Sequence, residues 1–128
     1  MLREQHQSLK VNSRVVTFQF RMVPGRDVPL GAATPSEGML LKDVTSTSAC
    51  VGGFDVGRLR LEVLEEGRRL VEIRPLIECD SSGERIFRFR SHWADGILLF
   101  RGERVTLLLD GPGPLLVTVK GLAPDPPT

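Results

Sequence analysis

A chain of 128 residues and 14.2 kDa, 41% hydrophobic and 26% charged, has one domain's length and an ordinary globular composition. Collagen-like, coiled-coil and wholly disordered readings are excluded. The 17 basic side chains nearly cancel the 16 acidic ones for a net charge of +1, so no global field draws nucleic acid or an anionic membrane, and no DNA or RNA partner is expected.

Residues 1–12 are polar and lack the apolar stretch of a secretory signal, and no apolar run approaches the roughly 20 residues that span a bilayer. This predicts a flexible N-terminal segment, no membrane insertion and a cytoplasmic location. From Ser13 the apolar residues recur at every second position, the period of strands. In 13–23, Val16, Phe18, Phe20 and Met22 alternate with Val15, Thr17, Gln19 and Arg21, one set facing a core and the other solvent.

The stretch 24–38 carries Pro24, Pro29, Pro35, Gly25, Gly31 and Gly38 with few large apolar residues, and is expected to be a long mobile loop. Alternation returns over 58–64, with Leu59, Leu61 and Val63 inward. It continues with Val71, Ile73, Ile77 and Cys79 inward around Pro75, which marks an edge or a bulge, and again over 85–90 with Phe87 and Phe89 inward. Turn signals at Glu65-Glu66-Gly67, Asp80-Ser81-Ser82-Gly83, Ala94-Asp95-Gly96, Arg101-Gly102 and 110–114 separate strand centres near 61, 74, 87, 98, 107 and 117. These predict an all-β fold: one antiparallel β-sandwich or β-barrel of about eight to nine strands over 13–122, with a hairpin-rich C-terminal half read as a six-strand meander. Residues 123–128, with three prolines, read as a flexible tail or linker.

Cys50 and Cys79 are expected to be reduced, buried thiols, with one disulfide between them as the alternative for an extracellular domain. With only His6 and His92 beside them and no C-x-x-C or H-x-x-x-H spacing, no metal site is expected. There is no G-x-S-x-G, P-loop or dinucleotide fingerprint. The acids mostly alternate with arginines on outward faces, the pattern of cross-strand ion pairs rather than of a glycosidase's facing carboxylates. The sequence thus points away from an enzyme and calls for no cofactor; the one catalytic alternative centres on His92 and Asp95.

Residues 40–63 contain Asp43-Val44-Thr45-Ser46-Thr47-Ser48, with Gly57 before the next strand. This stretch resembles the centre of PilZ domains, small β-barrels that bind cyclic di-GMP in bacteria and carry (D/N)-x-S-x-x-G. Thr45 stands for the serine and Ser48 for the glycine, and the family's upstream R-x-x-x-R is absent. The resemblance implies a cyclic dinucleotide held by Asp43, Thr45 and Ser48, with phosphates gripped by the nearest upstream arginines, Arg14, Arg21 and Arg26.

The leading expectation is a non-catalytic binding or adaptor module acting through protein–protein contacts or self-association. Leu64, Leu76, Leu108 and Leu116 interrupt otherwise polar faces and are the candidate partner surface.

Overall fold

The computed structural model describes residues 13–47, 49–50, 59–111 and 114–124, with the side chains of 49 and 50 left aside. The chain is all-β, built as three antiparallel sheets with open edges and no closed barrel. In chain order the elements are β1 (Ser13–Met22), β2 (Val28–Pro29), α1 (Leu30–Ala33), β3 (Met39–Ser46), β4 (Ala49–Cys50), β5 (Arg60–Glu65), β6 (Arg68–Ile73), β7 (Leu76–Cys79), β8 (Arg85–Arg88), β9 (Arg90–Leu99), β10 (Val105–Asp110) and β11 (Leu115–Pro124). Sheet A has the order β1-β11-β3-β9, sheet B the order β2-β10-β5-β6, and sheet C the order β4-β8-β7.

The two-residue alternation decides which side chains enter the core. Met22, Val44, Val117, Val119 and Ala123 from sheet A, Leu61, Val63, Ile73, Leu107 and Leu109 from sheet B, and Phe87 from sheet C belong to one buried cluster. Phe87 and Phe89 meet edge to face at 6.2 Å, a geometry that suits the ring quadrupoles. The β5–β6 hairpin turns through Glu66 and Gly67, both at positive φ (50° and 82°), the backbone that a tight two-residue hairpin loop requires and that glycine adopts without a Cβ penalty.

Four expectations are corrected. Residues 24–38 are not a structureless loop: Val28–Pro29 pairs with β10, and the short helix α1 buries Leu30 completely. The buried Thr34 hydroxyl donates to the Leu30 carbonyl at 2.8 Å, so the polar group enters the core already satisfied. Gly31 packs so closely on the backbone of Glu103 that a Cβ there would lie 1.9 Å from its carbonyl oxygen. The glycine marks a close approach of two segments rather than slack.

The C-terminal half is not a meander. Only Phe89 separates β8 from β9, too short a link for a hairpin, so the chain runs on into sheet A, where β9 pairs with β3. From Leu99 the chain crosses through 100–104 to sheet B, where β10 pairs with β5 and β2. β11 then returns to sheet A between β1 and β3.

Strand β11 also takes in Ala123 and Pro124, two residues of the expected tail; Ala123 is fully buried and paired with Arg14. Finally, Ile77 and Cys79 lie exposed on the short sheet C rather than inward, and Cys79 is a free thiol on the surface. Segments 1–12 and 125–128 lie outside the described residues, as does the side chain of Cys50.

Candidate functional site

Because directly opposed residues in an antiparallel ladder share a face, the register of sheet A orders its outward side chains into rows. One row runs Thr17, Lys120, Asp43, His92; the next runs Gln19, Thr118, Thr45, Arg90. On one side lies an apolar row of Val15, Leu122, Leu40 and Leu98, of which Val15 and Leu98 are 68% and 43% exposed. On the other side Arg21 stands opposite Leu116. This outer face is a band of hydroxyl, amide and charged groups between two apolar margins.

Within the band, His92 Nδ1 lies 2.8 Å from Asp43 Oδ1. His92 is therefore a strand residue bonded across the ladder to Asp43, not a loop residue paired with Asp95. The other ring nitrogen has no hydroxyl or thiol bonded to it among the described residues. Lys120, Arg90 and Arg21 form no ion pair among the described residues.

The outer face of sheet B is organised differently. Arg60 reaches Glu62 at 3.2 Å, Glu72 at 3.5 Å and Asp110 at 2.8 Å. Arg69 reaches Glu62 and Glu72, and Arg74 reaches Glu72. The Glu62 hydrogen bond, with the Asp110 and Glu72 carboxylates nearby, raises the pKa of Arg60 above its ordinary value. Sheet B pairs Arg60, Arg69 and Arg74 with its own carboxylates; sheet A leaves Lys120, Arg90 and Arg21 without one among the described residues.

Of the residues singled out in the sequence, Asp43 and Thr45 share the outer face of sheet A, and Arg21 stands on the same face. Arg21 is four residues along β1 from Thr17, the β1 member of the Asp43 row. That separates it from Asp43 by roughly 13 Å along the strands and roughly 10 Å across them.

Arg14 stands at the other end of β1, 3.7 Å from Glu37. The Glu37 carboxyl is held below its ordinary range chiefly by its backbone hydrogen bond and by the Ser36 hydroxyl. Arg26 is exposed beyond the end of β1, and Ser48 lies outside the described residues. The cations nearest Asp43 in the ladder are Lys120, directly opposite, and Arg90, two residues along β9 from His92. Neither is signalled by a motif, since both become neighbours only through strand pairing.

The four leucines do not form one surface. Leu64 and Leu108 lie near each other on sheet B, Leu76 lies on sheet C, and Leu116 lies on sheet A. An open cleft of about 610 Å³ beside β2 and β10 is lined by Asp27, Glu66, Glu103 and Arg104 among others. No group of three potential ligands able to hold a metal occurs among the described residues, and no described helix is long and apolar enough to cross a membrane. Comparison with protein-family models, with curated proteins and with solved structures finds no match to the chain.

Proposed function

We propose that the protein is a non-catalytic binding module, and that the outer face of sheet A recognises an acidic segment of a protein partner. The observation that carries this reading is the contrast between the two outer faces. Arg60, Arg69 and Arg74 are satisfied by Glu62, Glu72 and Asp110, whereas Arg21, Lys120 and Arg90 form no ion pair among the described residues and are left to meet carboxylates from outside. Apolar side chains at the margins, Leu116 beside Arg21 and Val15 and Leu98 on the far side, supply the non-polar contact that polar recognition surfaces combine with charge.

A second reading is favoured by one arrangement. Asp43 and Thr45 occupy adjacent rows with Lys120 and Arg90 beside them: a carboxylate and a hydroxyl for a base edge, and cations for phosphates. That would make the face a cyclic-dinucleotide site, as the resemblance of 40–63 to PilZ domains implies.

One titration tests both readings. Amide resonances of the full chain are followed by nitrogen-15 NMR with a hexaglutamate peptide and, separately, with cyclic di-GMP. The leading reading expects the peptide to move amides of the Lys120 and Arg90 rows. The effect should fade as salt rises and vanish in Lys120→Glu/Arg90→Glu. Movement of the same amides by cyclic di-GMP alone replaces the leading reading with the second. No movement of that face by either probe at millimolar concentration overturns both.

A further inference from the structure

Strand β1 ends the order of sheet A, so one side of its ladder has no partner among the described residues. It is ten residues long and pairs with β11 in unbroken register from Ser13 to Met22. It contains no proline or glycine, and its two charged residues, Arg14 and Arg21, stand near its ends and leave 15–20 uncharged. An exposed strand edge normally carries a device that blocks further pairing. The other edges have one: β9 is interrupted by a register shift opposite Leu41 and Asp43, β6 carries Arg68, Arg69 and Glu72, β7 is short and follows Pro75, and β2 and β4 have two residues each.

A second, independent observation lies on the inner side of the same strand. The inward residues of β11, Leu115, Val117, Val119 and Ala123, are at most 4% exposed. On β1 the inward Met22, opposite Leu115, is fully buried, whereas Val16, Phe18 and Phe20 are only partly buried. Phe18 and Phe20 stack on each other at 6.4 Å, forming an apolar lip that no strand covers among the described residues. One added strand would complete both the ladder and the core.

We infer that β1 is the contact through which two copies of this chain associate, β1 against β1 and antiparallel, with Phe18 facing the partner's Phe18. This register keeps inward residues opposite inward residues. Val16 then meets the partner's Phe20, and Thr17 meets the partner's Gln19. Neither Arg14 nor Arg21 stands opposite a cation: Arg21 meets the partner's Val15, and Arg14 meets the partner's Met22. A register shifted by one residue would set Arg14 against the partner's Arg21 and inward against outward side chains. The contact is isologous and closes at two copies. It joins two four-stranded sheets edge to edge and leaves the outer face of sheet A free, so it does not rest on the function proposed above.

The test is sedimentation of the full chain over a concentration series. Thr17→Lys/Gln19→Lys places lysine opposite lysine twice across the contact, while both positions remain on the solvent side of the single copy. Thr17→Glu/Gln19→Lys places opposite charges there instead. A concentration-dependent dimer is expected, with its dissociation constant raised about tenfold by the first variant and returned to wild type or below by the second. Far-ultraviolet circular dichroism confirms the fold of each variant, and hydrogen exchange of β1 amides should slow as the dimer forms. A chain that stays monomeric to millimolar concentration overturns the inference. So does growth past two copies, or a dimer that both charge variants leave unchanged.

Discussion

Leu30→Ala separates a structured 24–38 segment from a loose one. Leu30 has no exposed surface and belongs to the single core cluster, so truncation removes buried methyl groups and leaves a void that the close contact between Gly31 and Glu103 hinders from collapsing. Core Leu→Ala changes cost about 2–5 kcal/mol, and a value of about 3 kcal/mol suits a fully buried leucine on a short surface helix. For a chain of this length the unfolding entropy near the midpoint is about 0.27 kcal/mol per kelvin, so the melt should fall by about 11 °C. Arg26→Ala, at an exposed position of the same segment, should shift it by no more than about 2 °C. Calorimetry on the three proteins reads both effects. If Leu30→Ala moves the midpoint no more than Arg26→Ala does, the helix does not contribute to the core and the packing argument fails.

Gly31→Ala should destabilise by about 2 kcal/mol or more, because the new Cβ meets the Glu103 carbonyl at 1.9 Å and backbone must move; a melt equal to wild type would refute the close approach. Asp80 accepts bonds from the Ser82 amide, the Ser82 hydroxyl and the Glu84 amide. These, with the Ser82 side chain foremost, hold its carboxyl below the ordinary range. A depressed folded value means that the stabilisation is present at neutral pH and is lost as pH falls through that value. Asp80→Ala should therefore melt below wild type at pH 7, and the gap should narrow as the pH falls below the ordinary range of an aspartate. Arg60→Gln removes a cation shared by Glu62, Glu72 and Asp110. Its raised pKa keeps it charged across the accessible range, so the lever is ionic strength: the loss in melting temperature should shrink between low salt and 0.5 M.

The all-β class was legible because a period of two is written directly into 13–22, 59–65 and 115–119, and the same alternation names Met22, Leu61, Val63, Phe87 and Phe89 as core. Partnership between strands was not legible. The β5–β6 turn at Glu66-Gly67 connects sequential neighbours, as its residues suggest. Nothing in the composition of β9 says that it leaves β8 for β3, since register depends on faces that meet only in the assembled sheets. The segment 24–38 was misread for a related reason. Prolines and glycines signal turns, but here Gly31 is selected by contact with Glu103, a residue distant in sequence. Ile77 and Cys79 show the opposite failure: their alternation continues that of Val71 and Ile73, yet sheet C does not cover them.

The candidate site was hidden by an average. A net charge of +1 over the chain argues against a field for an anionic partner only if positive and negative groups are mixed on the scale of a Debye length, about 8 Å at physiological salt. Strand pairing unmixes them. Glu62, Glu72 and Asp110 lie within 4 Å of arginines on sheet B, while Lys120 and Arg90 are carried to the opposite sheet, where Asp43 is the only carboxylate at a paired outward position among the described residues. Neutralising sheet B removes its negative charge as a long-range counterweight, and what an approaching partner meets at the paired outward positions of sheet A is two positive charges in excess, Arg21, Lys120 and Arg90 less Asp43. Exchanging Lys120 and Arg90 for glutamates would change the chain's net charge by four and reverse the sign of that face. Arg60→Glu/Arg69→Glu changes the net charge by the same amount on sheet B. If recognition of an acidic segment follows the local face, only the first pair of substitutions abolishes it; if the two variants weaken binding equally, total charge governs and sheet A has no special role.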